Sequence, residues 1–132
     1  MKDYENIANN IIKKIYPFLV LDLKSYYKQE FVNKTIIELG TGPGHIIEEL
    51  LKNKFKHIYG IDISLEMLIK AQKRNISNNK LQLINANVEK IPLKDESIDI
   101  IISRGSIFFW KNLEKALRES FRILKNNGFM LV

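Results

Sequence analysis

Three glycines stand at alternate positions directly after a short, mostly β-branched apolar run. Gly40, Gly42 and Gly44 follow a carboxylate at Glu38 and precede apolar residues at helical spacing from His45 onward. Glycine has no Cβ, so this stretch lets a ligand approach the main chain and permits positive φ angles. The first N–H groups of a helix lack partners within the helix. The pattern therefore predicts a buried β-strand, a tight turn and a helix N-terminus that together bind a polar cofactor.

The spacing of these glycines distinguishes between classes of cofactor. A dinucleotide site has the pattern G-x-G-x-x-G, whereas here His45 stands where the third glycine would be and Gly44 comes one residue early. No lysine occupies the position that a P-loop requires. The carboxylate of Glu38 would repel a pyrophosphate and would suit a ligand that carries an ammonium group. A tight turn between strand and helix, with no ligand at all, is the alternative.

A second carboxylate, Asp62, ends the next predicted strand, about 20 residues after the glycine turn. A carboxylate at that place can accept two hydrogen bonds from the hydroxyl groups of a ribose. Enzymes that bind NAD use the same arrangement, so Asp62 indicates a nucleoside without distinguishing one nucleoside from another. The alternative is a solvated aspartate in a turn.

Strands and helices alternate along the chain. Apolar runs predict strands at residues 35–39, 57–62, 81–84, 98–102 and 129–132, and helical spacing predicts helices at 45–51, 65–76 and 113–124. We expect Ser64 to be an N-cap, Asp99 to make a structural hydrogen bond at the start of its strand, and Gly128 to end the last helix in a left-handed conformation. The alternation predicts an α/β fold whose parallel sheet binds its ligand at the carboxyl ends of the strands.

The residues before the first strand have a helical pattern of their own. Apolar residues recur at helical spacing over residues 3–16 and 18–30, and Pro17 separates the two segments. Both segments precede the first strand, so they lie outside the alternating repeat. We therefore divide the chain into an N-terminal helical segment, residues 1–34, that packs on the sheet or closes over the cofactor, and a cofactor-binding core, residues 35–132.

Composition restricts the classes of function. The 132 residues suffice for one domain, and they contain neither an apolar run long enough to cross a membrane nor a signal peptide. The chain has no cysteine, which excludes disulfides, thiolate metal sites and a cysteine nucleophile, and we predict a cytoplasmic protein without a metal centre. The formal net charge of +6 comes mainly from scattered lysines, with only four arginines, so a nucleic-acid surface is less favoured.

The acid-x-Gly-x-Gly-x-Gly pattern that begins at Glu38 resembles the first motif of the class I S-adenosylmethionine-dependent methyltransferases. Looser similarities, in the same order as in that family, occur from Asn85 to Leu93 and from Arg118 to Gly128. The resemblance covers roughly residues 35–132. It implies a Rossmann-like, doubly wound parallel sheet with the strand order 3-2-1-4-5, N-terminal helices, and S-adenosyl-L-methionine as the cofactor.

The resemblance also implies roles for individual residues. Asp62 would hold the ribose, and Met67 would pack against adenine. Asn87 stands where the family has an aspartate that accepts a hydrogen bond from the adenine amino group, and an asparagine oxygen can accept the same bond. Val88 would donate its N–H to the edge of the ring. The implied cofactor-binding residues are Glu38, Gly40, Thr41, Gly42, Gly44, Asp62, Ile63, Met67, Asn87, Val88, Ser103 and Arg104.

The reaction implied by the resemblance is in-line transfer of a sulfonium methyl group to a nucleophile. The sulfonium is a good leaving group, so placement of the acceptor supplies most of the catalysis, and we assign no general base. Ser106, Phe108, Phe109 and Trp110 would line the acceptor pocket, and the aromatic rings favour a small or partly apolar acceptor. The sequence lacks the Asn/Asp-Pro-Pro-aromatic tetrapeptide with which methyltransferases of base amino groups hold the target nitrogen.

Three functions agree with these residues. The first is a methyltransferase acting on a small molecule, the second a subunit or fragment that binds S-adenosylmethionine without turnover, and the third a nucleic-acid methyltransferase. The family fold usually ends in an antiparallel hairpin beside the fifth strand, whereas this sequence ends at Val132. We expect a fragment. The apolar strand from Phe129 to Val132 would then be an edge that a missing C-terminal segment completes; a partner chain or a tolerated open edge are the alternatives.

Overall fold

A computed structural model describes residues 31–75 and 78–132 of the chain. The described residues form a five-stranded sheet, three α-helices and one 3₁₀ helix. The strands are β1 (Thr35–Leu39), β2 (His57–Asp62), β3 (Leu81–Asn85), β4 (Ile98–Ile102) and β5 (Leu124–Leu131). The α-helices are α1 (His45–Leu50), α2 (Leu65–Arg74) and α3 (Leu113–Ile123), and the 3₁₀ helix is Ile107–Phe109. The N-terminal helices expected before residue 31 lie outside the described residues.

The sheet has the strand order β3-β2-β1-β4-β5, and every pair of neighbouring strands is parallel. The prediction of a doubly wound α/β fold with the order 3-2-1-4-5 is therefore confirmed. After β1 the chain builds outward on one side of that strand, and β4 begins the other side. This reversal between β1 and β4 is the topological switch point, where sheets of this kind bind their ligands. Within the described ranges, no helix is long and apolar enough to cross a membrane.

Two apolar layers cover the two faces of the sheet. The first layer packs α1 on one face, and its buried members are Phe31, Ile36, Ile46, Ile47, Leu50, Phe55, Ile58, Ile100 and Ile102. The second layer packs α3 on the other face, and its buried members are Ile37, Leu39, Ile61, Val88, Ile91, Ile98, Ile101, Ala116 and Ile123. All five residues of β1 and all five of β4 are buried, as expected for central parallel strands covered on both faces.

Local polar contacts fix where several elements begin. The Ser64 side chain accepts a hydrogen bond from the Met67 N–H at 3.3 Å, which confirms the predicted N-cap of α2. The buried carboxylate of Asp99 accepts a hydrogen bond from the Thr35 N–H at 2.9 Å. This bond ties the start of β4 to the start of β1, so the structural role predicted for Asp99 is confirmed. Asn112 caps α3 in the same way as Ser64 caps α2, accepting from the Lys115 N–H at 3.0 Å.

The prediction that Gly128 ends the last helix in a left-handed conformation is wrong. Helix α3 ends at Ile123, and Leu124 is already extended, with φ −76° and ψ 131°. Leu124 pairs with Ile98, and Phe129 pairs with Ile100. Four residues of β5, 125–128, therefore lie opposite the single residue Asp99 of β4, and β5 bulges there. Gly128 lies in this bulge without a positive φ. A Cβ at Gly128 would lie 2.7 Å from Leu124 Cδ1 and 2.8 Å from the Asp99 carbonyl oxygen, so the position requires glycine for close packing.

We expect Gly128→Ala to destabilise the fold, because the added methyl group would push apart β4 and the start of β5. The free energy of unfolding, measured by urea denaturation, should fall by about 1–3 kcal/mol. Asn127→Ala, at an exposed position of the same bulge, is the matched control and should stay within about 0.5 kcal/mol of the wild type. Equal stability of the two variants would contradict the packing explanation for Gly128.

Candidate functional site

The predicted site residues follow strands that end at one edge of the sheet. Leu39 of β1 is in register with Ile61 of β2, and Asp62 of β2 is in register with Asn85 of β3. On the other side, the last paired residue of β4, Ile102, is in register with Glu38. Because all of these pairs are parallel, the loops that leave the strands begin side by side. The edge formed by these carboxyl ends is the candidate site.

The glycine turn, residues 40–44, is bonded to the end of β2. The N–H groups of Gly40 and Thr41 both donate to the Ile61 carbonyl oxygen, at 2.8 and 2.9 Å. The φ angles of Gly40, Gly42 and Gly44 are +74°, +54° and +84°, so the predicted positive φ angles are confirmed. Side chains with a Cβ rarely adopt these angles, which explains why the turn uses glycine at all three positions.

The three glycines differ in what surrounds them. A Cβ at Gly40 would overlap the Ser106 side chain, and a Cβ at Gly44 would lie 2.9 Å from Ala71 Cβ. A Cβ at Gly42 would meet no protein atom within 4 Å. Gly40 and Gly44 are therefore needed for packing within the protein. Gly42 alone leaves its main chain open to the space beyond the turn.

Glu38 is a carboxyl group buried beneath the glycine turn, with an exposed fraction of 3%. The Thr41 hydroxyl donates a hydrogen bond of 2.6 Å to Glu38 Oε2. Burial raises the pKa of Glu38 to about 8, the Thr41 hydrogen bond opposes this shift, and the nearby charge of Asp62 adds to it. At neutral pH the carboxyl group is therefore largely protonated in the protein alone, and a cation placed against it would favour the ionised form.

Asp62 links the glycine turn to the start of α2. Its Oδ2 accepts a hydrogen bond from the Gly42 N–H at 2.8 Å, and its Oδ1 accepts one from the Ser64 N–H at 2.8 Å. The side chain is part-buried, and each carboxylate oxygen has a second lone pair. The carboxylate thus holds the turn in place and can still accept hydrogen bonds from a ligand.

The residues after β3 form a fixed turn. Asn87 Oδ1 accepts a hydrogen bond from the Glu89 N–H at 2.9 Å, and the side chain of Val88 is buried in the second apolar layer. The side-chain amide of Asn85 donates to the carbonyl oxygens of Asp62 and Ile63, both at 3.0 Å. Asn85 was not among the predicted site residues. Its position at the end of a strand, in register with Asp62, is the signal that could have revealed it.

Two serines close the loop after β4 onto the end of β1. Ser103 is fully buried, and its hydroxyl donates to the Leu39 carbonyl oxygen at 3.2 Å. The Ser106 hydroxyl donates to the same oxygen at 2.7 Å and lies 2.7 Å from the Ser103 hydroxyl. Both serines therefore lie beside Gly40, and both make structural hydrogen bonds. The ligand contacts expected of them stay predictions.

Six other residues of the predicted site lie around this edge. Phe108 and Phe109 are 87% and 79% exposed, and Arg104 is exposed as well. Trp110 is half-buried and packs against the second apolar layer. Met67 is half-buried in the first turn of α2. Ile63, also exposed, directly follows Asp62.

The end of α2 supports the glycine turn from behind. Arg74 Nε donates to the Pro43 carbonyl oxygen at 3.1 Å, and the buried Asn75 amide donates to the Ala71 carbonyl oxygen at 3.0 Å and to that of Gly44 at 3.4 Å. These residues are 31 positions from the turn in sequence. No local pattern indicates such contacts, so neither residue was among the predicted site residues.

Comparison with known proteins shows the family. Residues 37–132 match a family model described as a methyltransferase domain. The chain belongs to this methyltransferase-domain family. The chain is 35% identical over 130 residues to the malonyl-[acyl-carrier protein] O-methyltransferase of Bacillus cereus, covering 97% of this chain and 46% of that protein. It is 30% identical, over an alignment 144 positions long, to the ubiquinone/menaquinone biosynthesis C-methyltransferase UbiE of Rickettsia typhi. This match covers 92% of this chain and 58% of that protein.

A solved structure agrees with this family membership. A crystal structure from Methanococcus maripaludis, assigned to the S-adenosyl-L-methionine-dependent methyltransferases, has a TM-score of 0.87 and 32% sequence identity to this chain. The match covers 98% of this methyltransferase-domain chain and 59% of that chain. The chain also spans about half the length of the curated relatives it matches, 52%, 36% and 46% for three of them.

We expect stability of the protein to depend on pH through Glu38. The unfolded chain loses this proton above a pKa near 4.5, whereas the folded protein keeps it until about 8. The stability that this proton contributes is fully present below pH 4.5. It is lost progressively as the pH rises from there through the folded pKa of about 8. Between pH 5 and 8 the free energy of unfolding should therefore fall by about 3–5 kcal/mol through this group.

The test compares Glu38→Gln with the wild type by urea denaturation at pH 5 and pH 8. The glutamine can still accept the Thr41 hydrogen bond, and the variant should be more stable than the wild type at pH 8 and lack this part of the pH dependence. Glu66→Gln, on the exposed first turn of α2, is the matched control and should keep the wild-type dependence. If the free energy of unfolding had the same pH dependence in the wild type and in Glu38→Gln, burial would not raise the pKa of Glu38 as described.

Proposed function

We propose that the protein is an S-adenosyl-L-methionine-dependent methyltransferase whose acceptor is a small molecule. The observation that supports this function most strongly is the open main chain at Gly42, flanked by the carboxyl groups of Glu38 and Asp62 at the switch point of the sheet. Family membership and the fold agree with it. Since the chain spans about half of its curated relatives, the activity of the whole protein is part of the proposal.

The described residues suit a nucleoside that carries an ammonium group. The free space at Gly42 lets a ligand lie against the main chain, where a side chain would block it. Asp62 has lone pairs left for ribose hydroxyls, and the buried carboxyl group of Glu38 would be ionised by a neighbouring ammonium. In this proposal Asn87 and Val88 contact the adenine edge. Bound S-adenosylmethionine supplies a methyl group on a sulfonium, ready for transfer to a nucleophile.

The protein's own contribution to this chemistry is binding and orientation. Holding a nucleophile in line with an activated methyl group replaces an encounter in solution by a reaction within one complex, which supplies much of the rate. The loop after β4 is suited to placing the acceptor, because Ser103 and Ser106 fix it beside Gly40. No group is assigned as a general base.

The acceptor side of the proposal rests on the aromatic residues after β4. Phe108, Phe109 and Trp110 follow the fixed Ser106, and they favour an apolar or partly apolar acceptor. Relatives of this chain are named for methyl transfer to malonyl-[acyl-carrier protein] and in ubiquinone/menaquinone biosynthesis. These names agree with a small-molecule acceptor. The outer strand β5 would be completed by a further segment or by a partner chain.

We expect Gly42→Ala to weaken binding of S-adenosylhomocysteine, the demethylated cofactor, by more than about tenfold in calorimetry. The added methyl group would occupy the open space at the turn, where the ligand is placed. The matched control is Gly105→Ala, because Gly105 also has a positive φ, +76°, and no protein atom within 4 Å of its Cβ position. Both variants should lose about 1 kcal/mol of stability from backbone strain.

The difference in affinity between these two variants tests the placement of the ligand. Wild-type affinity in Gly42→Ala, or no binding of S-adenosylhomocysteine to the wild type, would contradict the proposed function. Turnover of labelled S-adenosylmethionine over a panel of small acceptors then separates an enzyme from a subunit that only binds the cofactor. Transfer to RNA with strong salt sensitivity, and to no small molecule, would favour the nucleic-acid alternative.

A further inference from the structure

One arginine on α3 holds the loop between β3 and β4. Arg122 makes a two-pronged ion pair with Glu119, with Nε 2.8 Å from Oε1 and Nη2 2.9 Å from Oε2. The same guanidinium donates to the carbonyl oxygens of Ile91 at 2.7 Å and of Leu93 at 2.8 Å, and to Asp95 Oδ1 at 2.8 Å. A planar guanidinium can make five such bonds in fixed directions, which a lysine ammonium cannot do.

Glu119 also hydrogen-bonds the loop between β3 and β4. Its Oε2 accepts a hydrogen bond from the Ile91 N–H at 2.7 Å, so both main-chain polar groups of Ile91 are bonded to the Glu119–Arg122 pair. The hydrogen bonds of Arg122 lower the pKa of Glu119, which keeps the carboxylate ionised. The side chain of Ile91 is buried in the second apolar layer beside that of Val88. Ile91 therefore has a fixed position relative to α3.

Ile91 is next to the turn that carries the proposed adenine contacts. The Lys90 N–H donates to the Asn87 carbonyl oxygen at 3.0 Å, so residues 87–90 form one turn, and Ile91 directly follows it. Before this turn, Asn85 is bonded to the end of β2. Within the turn, Glu89 accepts a hydrogen bond from the Asn112 N–H at the start of α3. The turn is thus fixed to β2 at one end and to α3 at the other.

We propose that Arg122, together with Glu119, is a positioning residue for recognition of the cofactor's base, because the pair sets the place of the 87–90 turn. This inference rests on the proposed function and deepens it. A buried site that hydrogen-bonds a base discriminates only when its acceptor and donor atoms are held in place. Loss of the pair would let the turn move and would reduce selectivity for adenine before it reduced binding of the rest of the cofactor.

The test measures selectivity rather than affinity alone. Calorimetry gives the affinities of S-adenosylhomocysteine and S-inosylhomocysteine. In the second ligand a carbonyl oxygen replaces the adenine amino group, from which Asn87 would accept a hydrogen bond. The wild type should prefer the adenine ligand by about tenfold or more, and in Arg122→Met this ratio should fall to about threefold or less. A variant that is only less well folded loses both affinities equally, so the ratio separates positioning from a general loss of stability.

The matched control lies one turn earlier on the same helix. Arg118 is 77% exposed and hydrogen-bonds Glu114 on α3, with no bond to the described residues of the loop. Arg118→Met should keep the wild-type ratio. If Arg122→Met does not fold, Arg122→Lys replaces it, because that variant keeps the charge but loses the fork of donors, and its ratio should fall at least about threefold.

The outcomes separate the two proposals. No binding of S-adenosylhomocysteine by the wild type would overturn the proposed function. Binding without preference for adenine would leave that function standing and overturn the role of the 87–90 turn. A wild-type preference that persists in both Arg122 variants would overturn the positioning role of Arg122, whereas its loss in these variants and retention in Arg118→Met would support it.

Discussion

The glycine turn is held in its shape by the end of β2, and the rest of the site depends on this attachment. Two N–H groups of the turn share the Ile61 carbonyl oxygen, and the third, from Gly42, donates to Asp62. The three glycines of the turn have positive φ angles, which residues with a Cβ rarely adopt. The turn thus gains its geometry from a neighbouring strand, and its main chain stays uncovered at Gly42. A parallel sheet with its switch point at this place is what brings turn and strand end together.

Most polar side chains at this edge have a structural partner. Asp62 joins the turn to α2, Ser103 and Ser106 join the β4 loop to β1, and the Arg122–Glu119 pair joins the β3 loop to α3. Each loop that would contact a cofactor is therefore bonded to an element next to it. Catalysis that relies on orientation, as methyl transfer does, needs such fixed loops more than it needs reactive side chains.

The sequence predicted those parts of the fold that depend on short-range patterns. The limits of β1 and β4 agree with the prediction, because largely β-branched runs between turns have few alternatives. Gly128 was misread, since a glycine after a helix also fits a cap, and only its close packing against Leu124 and Asp99 shows why a side chain is excluded. The contacts of Arg74 and Asn75 with the glycine turn, and those of Arg122 with the loop between β3 and β4, could not be predicted. They join residues about 30 positions apart, which single-sequence patterns do not connect.

We propose that one nucleoside contacts the carboxyl ends of β1, β2 and β3 together. Amide chemical shifts, followed by NMR as S-adenosylhomocysteine is added to the wild-type protein, test it most directly. The account predicts that the amides of Gly42, Ile63 and Val88 shift along one common saturation curve, whereas those of Thr35 and His57, at the opposite ends of the strands, stay unchanged. Shifts confined to the opposite edge, or different saturation curves for the three loops, would contradict it.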